Sequence, residues 1–136
     1  MDLKHSDIQA VVKYRLSQAQ EALVSAIELK ENNHLSDAIN RAYYSMFYSA
    51  LALLASKQLG TSKHQGVISL ISQYFVRPGL LPIESGRQLK FAFELRLKYD
   101  YKELTYTSLQ EVEAIIDSAS DFLEKTRQLL KAQKFN

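Results

Sequence analysis

Ala42-Tyr43-Tyr44-Ser45-Met46-Phe47-Tyr48-Ser49-Ala50-Leu51-Ala52-Leu53-Leu54-Ala55 is apolar or aromatic throughout except at Ser45 and Ser49. At about 1.5 Å per residue this stretch makes a helix of about 21 Å, short of the ~30 Å hydrocarbon core of a bilayer. A helix that is apolar on every side and cannot span a membrane is one wrapped by its neighbours, so a central helix is predicted here. Ser36 and Asp37 suit its first turn, and Gly60 is placed to end it in the left-handed conformation. Ala42, Ser45, Ser49, Ala52 and Ser56 recur three and four residues apart. Such a small-residue stripe lets a second helix approach closely, from the same chain or from another copy.

The flanking sequence keeps the same period. Ile8, Val12, Leu16, Ala19, Leu23 and Ala26 draw one face of a long helix that ends near Asn32-Asn33. Leu109, Val112, Ile116, Ala119, Leu123 and Leu130 draw a similar stripe near the other end, opened by a capping box of Ser108 and Glu111. Between them, Ser62 with Gln65 and Ser85 with Gln88 mark the starts of two further helices, reaching to about Phe75 and Asp100. The prolines fall together in Pro78-Gly79-Leu80-Leu81-Pro82, and no run alternates polar and apolar residues long enough to be a strand. The expected fold is all-α, an antiparallel up-and-down four-helix bundle with an extra short helix, forming a single domain over residues 1–136.

Composition narrows the chemistry. A chain of 136 residues and 46% hydrophobic content buries enough surface for a core without staples and lies far from the disordered range. The absence of cysteine removes disulfides, thiol catalysis, iron–sulfur clusters and thiolate zinc sites. No two histidines have metal-ligand spacing, and neither a glycine-rich phosphate loop nor a nucleophile elbow occurs. No metal or cofactor is expected. No charged-then-apolar leader opens the sequence, so a cytoplasmic protein without a membrane anchor is expected. Net charge is only +2, but residues 57–102 carry eight basic and three acidic side chains. A basic middle between mildly acidic ends suits an anion such as RNA or a nucleotide, or is simply a solvated face.

Candidate functional residues are those that break the helical pattern. Arg96 falls on the apolar side of its helix with Leu89, Ala92 and Phe93, opposite Arg87, Lys90, Glu94 and Lys98. An arginine there needs a partner, and Asp100 stands one turn further on. The two either fix the helix end or mark a site. Arg41 opens the central helix with Asp37 four residues before it, in the orientation that favours pairing. If Arg41 and Arg96 meet, they form a sheltered cationic site for phosphate. Tyr43, Tyr44 and Tyr48 either stack on bases and offer hydroxyls or belong to the core. His64 falls in the first turn of the short helix, where it either binds a phosphate and moves a proton or is an ordinary surface residue.

Arg41-Ala42-Tyr43-Tyr44-Ser45-Met46-Phe47-Tyr48, then Ser62-Lys63-His64-Gln65-Gly66-Val67, then Phe93-Glu94-Leu95-Arg96 leading to Asp100-Tyr101, follow one another in an order that resembles the HEPN domain family. The resemblance covers roughly residues 10 to 130. It implies a helical bundle that dimerises around a shared cleft, in a family with metal-independent RNases and toxins of toxin–antitoxin pairs, often encoded beside a minimal nucleotidyltransferase. The family's catalytic signature is an arginine followed, after four to six residues, by a histidine. Arg96 matches the arginine, but Tyr101, Lys102 and Glu103 occupy the histidine positions. The sequence resembles a branch with an Asp-Tyr pair after the arginine.

The resemblance therefore implies Arg96, Asp100 and Tyr101 as the reactive group, to which the reading of the residues themselves adds Arg41, His64 and Tyr44 as phosphate-binding residues. In related pairs the nucleotidyltransferase modifies a tyrosine beside the site, and Tyr101 is the residue nominated here, although its register differs from theirs. The function implied is a toxin-like or nucleotide- or RNA-interacting protein that forms a homodimer and works with a minimal nucleotidyltransferase. Two alternatives are a metal-independent endoribonuclease with a nonstandard site that uses His64 or Asp100, and a non-catalytic helical dimerisation module.

Overall fold

The computed structural model describes residues 4–101 and 107–135, with backbone alone at Tyr101. Five helices run α1 His5–Glu31, α2 Leu35–Ser56, α3 His64–Ile71, α4 Ile83–Tyr101 and α5 Leu109–Ala132, with a π-helical turn at Ser72–Val76 between α3 and α4. No strand occurs among the described residues. None of these helices is long and apolar enough to cross a membrane.

The turn Asn32–His34 folds α2 back along α1, and His5 Nε2 lies 3.1 Å from the carbonyl of Lys134, so α5 ends where α1 begins. Tyr99 donates its hydroxyl to Glu111, joining the end of α4 to the start of α5. Helices α1, α2, α4 and α5 therefore alternate in direction as an up-and-down bundle, with α3 as the extra short helix. The bundle is flattened: α2 packs against α1, α3, α4 and α5, whereas α1 and α4 do not touch. That makes α2 the central helix, and Ala42, Tyr43, Met46, Ala50, Leu53 and Leu54 are all buried.

Both polar breaks in α2 are absorbed inside the chain. Ser45 donates to the carbonyl of Ala19 on α1 at 2.9 Å, and Ser49 donates to Ser45 one turn back at the same distance. Ala42, Ser45, Ser49 and Ala52 of the small-residue stripe are thus buried inside the chain, with α1 seated at Ser45. The stripe of α1 is buried as expected, and so is that of α5 except Leu109, which is exposed at the first turn.

Helix ends depart from the expectation at four places. Gly60 does not end α2. Gln58 takes the left-handed conformation (φ 54°), while the amides of Gln58 and Leu59 return to the carbonyls of Ala55 and Leu54. This paired closure recurs at Asn33 and Lys134, where the bonds it makes outweigh the small cost of a Cβ in that conformation. Ser62 and Gln65 form no capping box, because α3 starts two residues later and Thr61 Oγ1 accepts the amide of Lys63. The regular part of α3 stops at Ile71, and the π turn carries the chain to Val76. Ser85 does not cap α4, which begins at Ile83 directly after Pro82 and leaves Ser85 buried inside the first turn. Only Ser108 caps its helix as expected, its hydroxyl accepting the Glu111 amide at 3.0 Å, while the Glu111 carboxylate accepts from Tyr99 instead of completing the box.

Candidate functional site

The first turns of α2, the last turns of α4 and the start of α3 converge on the ring of Tyr44. Helical spacing decides who meets it: Arg41 stands three residues before Tyr44 on α2, and its guanidinium carbon lies 5.0 Å from the ring centroid. Arg96, from α4, approaches the same ring at 5.6 Å and that of Tyr43 at 5.5 Å. The expected meeting of the two arginines therefore occurs, with an aromatic ring as the shared surface. The π face of tyrosine attracts each cation and lowers the cost of holding both in one cleft.

A short polar chain fixes the two guanidiniums. Arg96 Nε donates to Asp100 Oδ2 at 2.9 Å. Asn40 Nδ2 donates to the same carboxylate oxygen at 3.5 Å, and Asn40 Oδ1 accepts from Arg41 Nε and one Nη at 3.3 and 3.1 Å. Asn40 thus reads a carboxylate with its amide nitrogen and a guanidinium with its oxygen. The expected pairing of Arg41 with Asp37 is not what forms; the neighbouring amide takes the guanidinium instead. Asp100 thus pairs with Arg96 directly and is linked to Arg41 only through Asn40. The Nη groups of Arg96 bond to nothing else among the described residues, which leaves donors for a ligand. Burial works against the charge on Arg96, but the Asp100 hydrogen bond and the surrounding groups outweigh it and raise its pKa.

His64 is no ordinary surface residue. Its ring stacks on Phe47 (centroids 4.3 Å apart, planes 15° from parallel) and lies 5.8 Å from Tyr43 and 6.2 Å from Phe93. Tyr43 Oη is 2.6 Å from His64 Nδ1. Tyr43 is fully buried, and this is the one hydrogen bond its hydroxyl makes among the described residues. The hydroxyl therefore donates to Nδ1, since the opposite polarity would leave its hydrogen without an acceptor. The proton of the imidazole is then on Nε2. Burial, and secondly the charge of Arg96, push the His64 pKa below its ordinary value. Burial likewise pushes the Tyr43 phenol far up, so it remains a donor at neutral pH.

Five of the six residues singled out in the sequence come together here: Arg41, Tyr44, His64, Arg96 and Asp100. The side chain of the sixth, Tyr101, lies outside the described residues. Asn40 was missed, and its role depends on a contact with Asp100 sixty residues away that no local pattern shows. Tyr43 belongs to the core, as one of its two readings held, and also sets the tautomer of His64. Phe47 and Phe93 complete the aromatic walls.

A flattened all-helical bundle with a cationic, aromatic-walled cleft where α2, α3 and α4 meet defines the class. The HEPN domain model matches residues 12–129, and the chain belongs to that family. It is 38% identical over 129 residues to "Putative toxin MJ0605" of Methanocaldococcus jannaschii, spanning 95% of this chain and 96% of that one. A "UPF0332 protein" of Thermotoga maritima is 35% identical over 126 residues, spanning 93% and 96%. A second M. jannaschii protein, "Putative toxin MJ0142", is 30% identical over 122 residues, spanning 87% and 83%.

Proposed function

We propose that this chain is a toxin-like HEPN protein that binds the phosphate of RNA or of a nucleotide in the Tyr44 cleft and acts with a minimal nucleotidyltransferase. The observation that carries the reading is the pair of guanidiniums on one tyrosine ring, of which only Arg96 pairs with a carboxylate among the described residues. A site with that excess of charge, and with the Nη donors of Arg96 unspent, suits a dianionic or diester phosphate. The names of the M. jannaschii relatives support the toxin part, and the family habit supports a homodimer and the nucleotidyltransferase. The small-residue stripe no longer argues for the dimer, because most of it is buried inside the chain.

A second reading, metal-independent cleavage of RNA, is favoured by His64. In that reaction the 2′-oxygen attacks phosphorus, the bond to the 5′-oxygen breaks, and the leaving oxygen needs a proton. With Nδ1 taken by Tyr43, the neutral His64 donates a hydrogen bond from Nε2 to a phosphate oxygen and keeps its proton, and the leaving oxygen takes its proton from water. Asp100 would take the 2′ proton, and Arg41 and Arg96 would hold the charged phosphorane. Purified protein incubated with RNA in chelator-containing buffer, beside Arg96→Ala, separates the two readings. Cleavage by the wild type alone establishes the nuclease. No cleavage by either, with RNA or nucleotide still bound by the wild type alone, establishes the binding role. Loss of neither activity in Arg96→Ala overturns both. The partnership is tested by incubating the protein with the nucleotidyltransferase and a nucleoside triphosphate, where a mass increase of one nucleotidyl group is expected.

A further inference from the structure

An open groove of about 580 Å³ runs between α3 with its π turn and α4, a size that suits a small organic ligand. It begins where the cleft ends. Phe93, whose ring faces His64, also lines the groove, and so does Gln65, the residue after His64. Arg96 is one turn beyond Phe93 on α4, so cleft and groove share a wall. Arg77 and Lys90 both line the groove, and neither side chain forms an ion pair or hydrogen bond among the described residues. The side chains of Gln65, Ser69 and Gln73 likewise make no hydrogen bond among the described residues, which gives the groove amide and hydroxyl groups beside Phe93. Glu94 stands one turn from Lys90 without pairing to it and supplies one acceptor.

Cations with no protein partner, free amides and an aromatic face are what a nucleotide unit requires: charge for its phosphate, hydrogen bonds for its base edge, and a surface for its ring. The π turn contributes as well, because the wider turn that ends in the Arg77 amide bonding Ser72 lies along the groove. Such turns are frequent at functional sites. We propose that the groove holds the adjoining nucleotide of a single-stranded RNA whose phosphate sits between Arg41 and Arg96. The proposal rests on the phosphate-binding reading of the cleft and adds that the bound chain is a polynucleotide, tracked across Phe93 to Arg77 and Lys90.

The test is binding of a labelled single-stranded RNA of about ten nucleotides by the full chain at several salt concentrations. Arg77→Gln/Lys90→Gln alters two exposed side chains with no structural bonds, so its melting temperature matches the wild type. It is expected to bind the RNA about tenfold more weakly, with a salt slope smaller by about 1.4 for two lost phosphate contacts. Its binding of a nucleoside monophosphate, which occupies the cleft alone, is expected to be unchanged. RNA binding by this variant with wild-type affinity and slope overturns the groove proposal and leaves the cleft standing. If Arg41→Ala/Arg96→Ala binds the RNA normally while the groove variant does not, the cleft reading falls, and with it the placement of the RNA across Phe93, leaving only an anion contact at Arg77 and Lys90. No RNA binding by the wild type overturns both.

Discussion

The hydroxyl of Tyr43 lies 2.6 Å from Nδ1 of His64, which ties a fully buried phenol on α2 to the first residue of α3. That bond fixes which imidazole nitrogen carries the proton. It also ties the chemistry of the site to the packing of the central helix.

Protonating His64 would turn Nδ1 into a donor against a buried hydroxyl with no other acceptor, beside the Arg96 charge. Burial, and secondly the Arg96 charge, depress its folded-state pKa below the ordinary ~6.5. The unfolded chain then binds more protons than the folded one just below that value. Stability is complete above about pH 6.5 and is lost as pH falls from there toward the folded pKa. Thermal unfolding followed from pH 7.5 downward is expected to show this loss, and His64→Gln to reduce it. Proton NMR of the His64 ring is expected to titrate below the free-histidine value.

Tyr43→Phe keeps the ring stack and removes the hydroxyl. The expected cost is about 1 kcal/mol, the net value of one hydrogen bond. The titration of His64 should move back toward the ordinary value, because Nδ1 regains freedom to carry a proton. A His64 titration identical to that of the wild type would contradict the assigned bond.

Arg96→Ala separates a structural arginine from a functional one. Asp100, its partner, is exposed, so the orphaned carboxylate remains solvated and the deep penalty of a buried lone charge does not arise. Loss of the ion pair and of the contacts with Tyr43 and Tyr44 is expected to cost about 1–2 kcal/mol, lowering Tm by about 6 °C or less. Phosphate binding should be lost. A fall in Tm far beyond that range, with binding intact, would assign Arg96 to the fold.

Ser45→Leu inserts bulk where α1 seats on α2 and breaks the bond to the Ala19 carbonyl. Overpacking of this kind costs about 1–3 kcal/mol, to which the unsatisfied carbonyl adds. A lower Tm by differential scanning calorimetry is expected, with no change of oligomeric state by light scattering. A change of state with unaltered stability would instead return the stripe to an intermolecular role.

Much of the fold was legible because it rests on period alone. The apolar run of α2 and the stripes of α1 and α5 each specify a face, and burial follows the faces. Helix ends were less legible. Ser62, Ser85 and Gly60 have the right residue types for caps, but Pro82 set the start of α4 and paired carbonyl bonds set the end of α2 at Gln58. In the site, Arg96 stood out because a cation interrupts an apolar face, and Arg41 because it opens a buried helix. Asn40 and Tyr43 carried no such mark. The first looks like a helix surface residue and the second like core, and only the crossing of α2 with α3 and α4 gives them partners.

The central claim is that Arg41 and Arg96 together bind phosphate against Tyr44. Its most direct test is an NMR titration of the protein with a nucleoside monophosphate, observing the rings of Tyr44 and His64. The account predicts saturable shifts at both rings in the wild type and none in Arg41→Ala/Arg96→Ala. Shifts that leave these rings untouched, or that persist in the double variant, would contradict it.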